Sequence, residues 1–258
     1  MLVSNSAING YNAAYETSKE LHSIKFVDIK TMHLQSIINN CGKGYDTLRK
    51  IRVLYNQLFK YAMENDIVTK DYSDYVNIGK RKDSTTRKPF TDKEIKRLFD
   101  VENSIPYVDT ILIMIFTGLR IGELLLLKPD HIDINNRTIT GGIKTDAGKN
   151  RIIPINNKIM PFIKNRLSLG NDYLIVNDLG GKMKYDNYYR EKFLPIMEQL
   201  NMKHKPHDCR HTFATLMSNS DANKTAIKKI IGHSSYVTTE KIYTHKDIEE
   251  LRKAIDLI

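Results

Sequence analysis

The first third of the chain carries apolar side chains at helical spacing. The clearest segment contains Ile51, Leu54, Tyr55, Leu58 and Ala62, which recur every three or four positions. Another helix is expected upstream, with Asp28 as its N-cap. Its apolar members are Ile29, Met32, Leu34, Ile37 and Ile38. Residues 1–79 are therefore predicted to form a helical domain.

After residue 90 the pattern predicts a second, mixed domain over residues 91–258. Thr91 and Glu94 have the spacing of a capping box, which starts a helix over about 91–100. An almost wholly apolar helix follows over about 106–116, and Gly118 ends it. Further helices are expected at about 121–127, 157–168, 186–200, 208–218 and 223–231.

Alternating apolar residues between positions 132 and 155 predict three short strands. The strands contain Ile132/Ile134, Thr138-Ile139-Thr140 and Ile152/Ile153/Ile155, with turns at Asn135-Asn136 and Asp146-Ala147-Gly148. The expected fold is therefore mainly α with a small antiparallel β-sheet, an α+β class.

The last residues, 247–258, have the pattern of a capped amphipathic helix. Ile248, Leu251, Ile255 and Ile258 form one apolar stripe. Such a short helix needs a surface that covers its stripe. Packing on its own domain and docking on a neighbouring subunit both meet that need.

A basic linker is predicted at residues 80–90. Residues 80–89 contain five positive charges, one negative charge and no large apolar side chain. Such a linker suits a clamp that closes around a duplex, and a solvated spacer explains the same composition. The predicted DNA-binding residues are Lys43, Lys80, Arg81, Lys82, Arg87 and Lys88.

Composition narrows the class of partner. The 258 residues include 40 Lys and Arg against 30 Asp and Glu, a formal net charge of +10. This surplus favours a polyanionic partner, with a solvated basic surface as the alternative. Cys41 and Cys209 lie far apart, which indicates a reducing compartment rather than a disulfide framework. The sequence shows no signal peptide and no membrane-spanning run, so a cytoplasmic protein is expected.

Several side chains have the chemistry that attack on a phosphodiester requires. Without a metal, guanidinium groups must stabilise the extra charge of the transition state. Arg120 and Glu123 are one helical turn apart, and His207 and Arg210 share a helix face. A structural Arg–Glu pair explains the first motif equally well. A metal site at His207 and His211 is a further alternative, although the glutamate of the zinc-hydrolase pattern is absent.

Three motifs, in this order, resemble the tyrosine recombinases of the phage integrase family. They are Thr117-Gly118-Leu119-Arg120-Ile121-Gly122-Glu123, Pro206-His207-Asp208-Cys209-Arg210-His211, and the segment from Gly232-His233 to Tyr243-Thr244-His245. The resemblance implies six catalytic positions: Arg120, Lys144, His207, Arg210, His233 and Tyr243. The arginines would hold the scissile phosphate, with Glu123 in support. The lysine would protonate the leaving 5′-oxygen, the histidines would handle protons and contact the phosphate, and the tyrosine would form a 3′-phosphotyrosine bond. Lys149 competes with Lys144 for the lysine's role.

The resemblance also implies a setting. The two domains would clamp double-stranded DNA recombination sites, with residues 1–79 as the core-binding domain. A homo-tetramer on DNA would form through helix 247–258, and excision or host architectural factors are possible partners. Neither a metal, nor ATP, nor a membrane is implied. The chain is expected to be most like integrases of phages and conjugative transposons without an arm-binding domain, and a simpler two-domain recombinase and a trimmed integrase both fit that expectation. An Xer-type resolvase, a non-catalytic DNA-binding regulator and a metal-dependent nuclease are the alternatives.

Overall fold

A computed structural model shows two compact units, Met1–Thr86 and Arg87–Ile258. It describes residues 5–81, 88–141, 151–220, 223, 225, 226, 230 and 245–258. The division between the units falls within residues 80–90. Among the helices of these described segments, none combines the length and the apolar character needed to cross a bilayer.

The first unit is helical around its own apolar core. Its helices are α1 (Asn5–Thr17), α2 (Thr31–Asn40) and α3 (Tyr45–Glu64), with 3-10 turns at Lys19–Leu21 and Phe26–Asp28. The core is built from the inward faces of α2 and α3 and from residues of α1 and the turns. Within it, the Tyr55 hydroxyl and the Ser18 hydroxyl are 2.8 Å apart and share a hydrogen bond.

Three sequence predictions for this unit are wrong. Asp28 lies in a 3-10 turn, and Lys30 is the N-cap of α2. Met32 is exposed because it stands two residues before the buried Leu34, on the opposite side of the helix. In α3 the buried stripe passes through Phe59, so Leu58 is partly exposed.

The second unit is mainly helical with one small sheet, so the predicted fold class is confirmed. Its helices are α4 (Asp92–Val101), α5 (Val108–Thr117), α6 (Ile121–Leu124), α7 (Met160–Ser168), α8 (Tyr185–Asn187), α9 (Leu194–Gln199), α10 (Pro206–Asn219) and α11 (His245–Ile255). The predicted capping box is present, because Glu94 Oε2 accepts hydrogen bonds from the Thr91 N–H (2.7 Å) and hydroxyl (2.8 Å). Every residue of α5 is buried, which makes it the central helix of the core.

The sheet has three antiparallel strands in the order β1-β2-β3. They are β1 (Ile132–Asp133), β2 (Thr138–Gly141) and β3 (Arg151–Pro154), and Gly141 pairs with Arg151 at one end of the β2–β3 ladder. The turn predicted at Asn135-Asn136 connects β1 to β2. The turn predicted at residues 146–148 lies outside the described residues.

Two predicted helices differ in length or form. The helix expected over 121–127 ends at Leu124. Pro129 explains this, because its ring would clash with the Leu125 carbonyl in a continued helix. The helix expected over 186–200 contains a π-helix at Tyr188–Phe193 between α8 and α9. In this π-helix the buried Tyr188 hydroxyl lies 2.6 Å from Thr110 Oγ1 of α5.

The tail helix α11 spans His245–Ile255, two residues earlier than predicted at its start and three at its end. Leu251, Ile255 and Ile258 are buried in the core of their own unit. Asn156 Nδ2, just after β3, donates to the carbonyls of Ile255 (2.6 Å) and Ile258 (3.0 Å). In the single chain, the apolar stripe of the tail therefore packs on its own domain.

Phe90, near the start of the second unit, is bound to α10. The Phe90 N–H donates to Thr212 Oγ1 of α10 at 2.9 Å. The Phe90 ring stacks on His204, with 3.8 Å between ring centroids. The same histidine lies 3.2 Å from Glu94 Oε1 of α4. Phe90, His204, Glu94 of α4 and Thr212 of α10 therefore form one small, largely buried cluster.

Candidate active site

Arg120 lies in the short connection between α5 and α6. Gly118 ends α5 in the left-handed conformation, with φ +64°, and the chain is extended at Arg120. Glu123, in the first turn of α6, accepts a hydrogen bond from the Arg120 N–H at Oε2 (2.9 Å). The Arg120 side chain also donates from Nη1 to Glu123 Oε1 (3.1 Å). The carboxylate therefore caps α6 and holds the arginine at its start.

A further arginine shares this carboxylate. Arg151 Nη1 donates to Glu123 Oε1 (3.1 Å), and Arg151 Nη2 donates to Oε2 (2.9 Å). The side chains of Arg151 and Glu123 are only 2% and 4% exposed. Burial acts to raise the pKa of Glu123, but the hydrogen bonds and charges of Arg151 and Arg120 lower it overall. Glu123 is therefore held as a carboxylate inside the protein.

Arg151 is not among the site residues predicted from the sequence. A signal was present, because Arg151, Ile153 and Ile155 alternate with period two and so share one strand face. Ile153 and Ile155 are fully buried, and this face points into the core. An arginine in such a position needs a buried acidic partner, and that requirement points to Glu123.

Arg210 reaches the same region from α10. Its side chain is largely buried, and Nη1 donates to the carbonyl of Gly118 at 2.6 Å. Burial and then the positive charges of Arg120 and Arg151 lower the pKa of Arg210 to about 10. The positive charges of Arg120 and Arg151 therefore act on Arg210, and its hydrogen bond to the Gly118 carbonyl keeps it next to the Arg120 connection.

The end of α5, two residues before Arg120, packs closely on α10, the helix that carries Arg210. A Cβ atom on this glycine would lie 2.5 Å from Cδ1 of Phe213, a buried residue of α10. Only glycine permits this approach together with a positive φ. The close packing brings the start of the Arg120 connection against the helix of Arg210.

His207 is exposed and lies one turn before Arg210 on α10. Its ring centroid is 5.0 Å from that of His211, and the rings are nearly perpendicular. Across the part of the chain that the structure describes, no three His, Cys, Asp or Glu side chains are grouped as a metal site would need. The structure thus places His207 beside Arg210, where it can donate or accept a proton.

Three of the predicted site residues, Lys144, His233 and Tyr243, lie outside the described residues. Their positions relative to the arginines stay a prediction. Of the predicted DNA-binding residues, Lys82 and Arg87 also lie outside, and Lys88 is exposed at the start of the second unit.

The remaining predicted DNA-binding residues meet in the first unit. Lys43, Lys80 and Arg81 line one open cleft at the N-terminus of α3. Arg81 also pairs with Asp46 of this helix, with 3.3 Å between Nη2 and Oδ2. The cleft therefore combines three cationic side chains with the positive end of a helix dipole.

The arrangement in the second unit is suited to an anion. Arg120, Arg151 and Arg210 supply three positive charges, and Glu123 supplies one negative charge. Two positive charges are therefore in excess. Glu123, Arg120 and Arg151 are called the Glu123 cluster below. Within it Arg120 is accessible to solvent, since its side chain is 32% exposed. Fixed guanidinium donors of this kind bind phosphate and stabilise charge that develops on it.

The second unit matches a known protein family. The profile of the phage integrase family matches residues 88–250, more than half of the chain. The tyrosine recombinase XerA of Thermococcus kodakarensis is 31% identical over 178 residues, which cover 65% of this chain and 61% of that protein. The chain thus matches about three fifths of the length of this curated relative.

Solved structures show the same fold. The Tn1549 transposon integrase in complex with circular intermediate DNA superposes with a TM-score of 0.78 at 21% identity, over 93% of this chain and 92% of that one. The lambda integrase tetramer bound to a Holliday junction gives a TM-score of 0.75 at 16% identity, over 94% and 75%. Since the family profile spans both arginine motifs and most of the second unit, this chain belongs to the phage integrase family of tyrosine recombinases.

Proposed function

We propose that the chain is a site-specific DNA recombinase that cuts and rejoins DNA to integrate or excise a mobile element. One observation carries the proposal: Arg210 donates to the carbonyl of Gly118, two residues before Arg120, so these two arginines converge from positions 90 residues apart in sequence. The excess positive charge at this place suits a phosphodiester. Membership of the phage integrase family and the similarity to the tyrosine recombinase XerA support the same reaction.

The proposed reaction consists of two transesterifications. The phenol oxygen of Tyr243 attacks the phosphorus, an O–P bond forms, and the bond to the 5′-oxygen breaks. The leaving 5′-oxygen takes a proton from Lys144, while His207 accepts the proton of the phenol and His233 contacts the phosphate. The 5′-hydroxyl of a second duplex then attacks the 3′-phosphotyrosine and releases the tyrosine.

In this reaction Arg120 and Arg210 bind the non-bridging oxygens and stabilise their extra charge. Each step exchanges one phosphoester bond for another, so the bond energy is kept. ATP is therefore not needed to drive the exchange.

We propose that the first unit contacts the DNA backbone through Lys43, Lys80 and Arg81, which share one cleft. Lys82, Arg87 and Lys88 of the linker would extend this contact. The Tn1549 and lambda integrases were solved with DNA, and the lambda enzyme as a tetramer. By analogy, the partners of this chain are duplex recombination sites and three further copies of itself.

In such a tetramer the tail helix α11 would leave its own domain and dock on a neighbour. In the single chain the helix is held by its buried apolar stripe, by Asn156, by an ion pair between Arg137 and Asp256 (2.7 Å) and by a hydrogen bond from Arg252 to the Asn136 carbonyl. Docking on a neighbour would have to replace these contacts. Excision or host architectural factors would act on this assembly in the cytoplasm, where the DNA lies.

The test is covalent capture of DNA. A duplex that the protein selects from a random-sequence pool is prepared with a nick, so that the cut strand diffuses away and the adduct accumulates. The wild type should form an adduct that survives denaturing gels, in the presence of a chelator. Tyr243→Phe should bind the duplex and form none.

Tyr185→Phe is the matched control, because it removes an exposed phenol from the same unit and should leave capture unchanged. An adduct formed by Tyr243→Phe would refute the assignment of the nucleophile. Binding without capture by the wild type would identify a non-catalytic regulator, and cutting that the chelator abolishes would identify a metal-dependent nuclease.

A further inference from the structure

We infer that Arg151 is a positioning residue of the phosphate site: it orients the Glu123 carboxylate and thereby holds the guanidinium of Arg120. The inference rests on the proposed function, because it concerns how that reaction's arginine is kept in place. Arg151 itself is sealed from solvent, whereas Arg120 is accessible to a ligand.

The hydrogen bonds to Glu123 show how the positioning works. Oε1 accepts from Nη1 of Arg120 and Nη1 of Arg151, both at 3.1 Å. Oε2 accepts from the Arg120 N–H and from Arg151 Nη2, both at 2.9 Å. Arg151 alone reaches both oxygens with its two terminal nitrogens. Its planar fork therefore fixes the plane of the carboxylate, and this plane sets where Arg120 lies.

Charge gives a second reason for an arginine at position 151. If Arg120 were the only partner of Glu123, the carboxylate and the guanidinium would cancel each other's charge. Arg151 adds a buried positive charge that Arg210 experiences, since it contributes to the lowered pKa of Arg210. The Glu123 cluster consequently keeps a net positive charge while its arginine is anchored. A lysine at this position would keep the charge but could not supply the fork.

A purely structural role for the Arg151–Glu123 pair is the competing explanation, and the chain contains a suitable control. Arg166 binds Asp109 with the same kind of fork, through Nε to Oδ2 (2.6 Å) and Nη2 to Oδ1 (2.7 Å). This pair is also largely buried, with side chains 14% and 11% exposed. It lies in the same unit and shares no hydrogen bond with Arg120 or Glu123.

The experiment compares Arg151→Lys with Arg166→Lys on the selected nicked duplex, at a temperature where circular dichroism shows both to be folded. Single-turnover adduct formation is measured at saturating protein. Arg151→Lys should slow it about 100-fold, the effect of a small misplacement of a reacting group, and change DNA affinity little. Arg166→Lys should leave the rate unchanged.

Coupling to Arg120 distinguishes positioning from an independent effect. In an Arg120→Lys background, Arg151→Lys should add almost no further loss, because the group that it orients is gone. If the rate reduction of the double variant equals the product of the two single reductions, the inference is overturned. A wild-type rate for Arg151→Lys would overturn it as well. If Arg151→Lys does not fold, Glu123→Asp is used, which withdraws the carboxylate from the fork and should give the same slow rate. A wild-type rate for Glu123→Asp would likewise refute the inference.

A readout without DNA separates this inference from the proposed function. In nuclear magnetic resonance spectra, the terminal N–H groups of Arg120 should show hindered rotation in the wild type and in Arg166→Lys, and free rotation in Arg151→Lys. Free rotation in the wild type would refute the positioning role. If the wild type forms no adduct, but rotation at Arg120 is hindered in the wild type and free in Arg151→Lys, the proposed reaction is refuted and the positioning of Arg120 by Arg151 is supported.

Discussion

Among glycine-to-alanine substitutions at the glycines that the structure describes, Gly118→Ala should destabilise the second unit most. The residue ends α5 at φ +64°, and a Cβ there would lie 2.5 Å from Cδ1 of Phe213 and 3.0 Å from Cγ and Cε1. Phe213 is fully buried, so its ring cannot move into solvent.

The magnitude follows from two contributions. A left-handed conformation costs an L-residue about 1–2 kcal/mol. Forcing a methyl group against a packed ring costs about 1–3 kcal/mol. The free energy of unfolding should therefore fall by about 2–5 kcal/mol, a large part of the 5–15 kcal/mol that is typical of folded proteins.

Gly170 provides the control for the first contribution. It follows α7 at φ +68°, and a methyl group added there would meet no atom within 4 Å beyond its two chain neighbours. Gly170→Ala should therefore show the conformational cost alone, about 1–2 kcal/mol. The smaller entropy of the unfolded alanine chain affects both variants equally and cancels in their difference.

The assay is denaturant-dependent hydrogen exchange of amides in α5, which reports the unfolding free energy of this unit. Combining Gly118→Ala with Phe213→Leu should recover at least about 1 kcal/mol relative to the sum of the single changes, because the smaller side chain relieves the overlap. Equal losses for Gly118→Ala and Gly170→Ala would refute the steric reasoning. A loss below about 0.5 kcal/mol for Gly118→Ala would refute both contributions.

Two further predictions concern buried polar contacts. Glu123→Gln leaves Arg151 without its counter-charge, so the unfolding free energy should fall by about 3–5 kcal/mol at neutral pH. The pKa of Glu123 is lowered in the folded protein, so the stabilisation by its carboxylate is fully present above the unfolded pKa of about 4.3 and is lost as the pH falls through the folded pKa. Denaturation at several pH values should show that the difference in unfolding free energy between the wild type and Glu123→Gln becomes smaller in acid. A difference that stays constant with pH would contradict this. Asn156→Ala removes the donor to the carbonyls of Ile255 and Ile258, so amide exchange in α11 should accelerate, equivalent to about 1–3 kcal/mol. The exposed neighbour Asn157 is the control, and equal exchange in the two alanine variants would contradict a special role for Asn156.

Features that depend on neighbouring residues were predictable from the sequence. The capping box at Thr91 and Glu94, the end of α5 at Gly118 and the pairing of Arg120 with Glu123 involve contacts within a few positions. Such contacts arise from local backbone geometry, so the residue types and spacing suffice to predict them. The shift of the α2 cap from Asp28 to Lys30 shows that even local signals compete.

Features that depend on distant residues were not predictable in the same way. Arg151 joins a carboxylate 28 positions earlier, and its selection required knowing that its strand face is buried. The π-helix at Tyr188–Phe193 accompanies a buried hydroxyl contact with Thr110 of another helix. The approach of Arg210 to Gly118 follows from packing between α5 and α10, which motif order suggests but spacing does not determine.

The attachment of Phe90 to α10 has a mechanical consequence. The N–H of Phe90 is bonded to Thr212, two residues after Arg210, and its ring rests on His204 just ahead of the same helix. A force applied at residues 88–90 would therefore act first on α10, the helix that carries Arg210, and reach the sheet only afterwards.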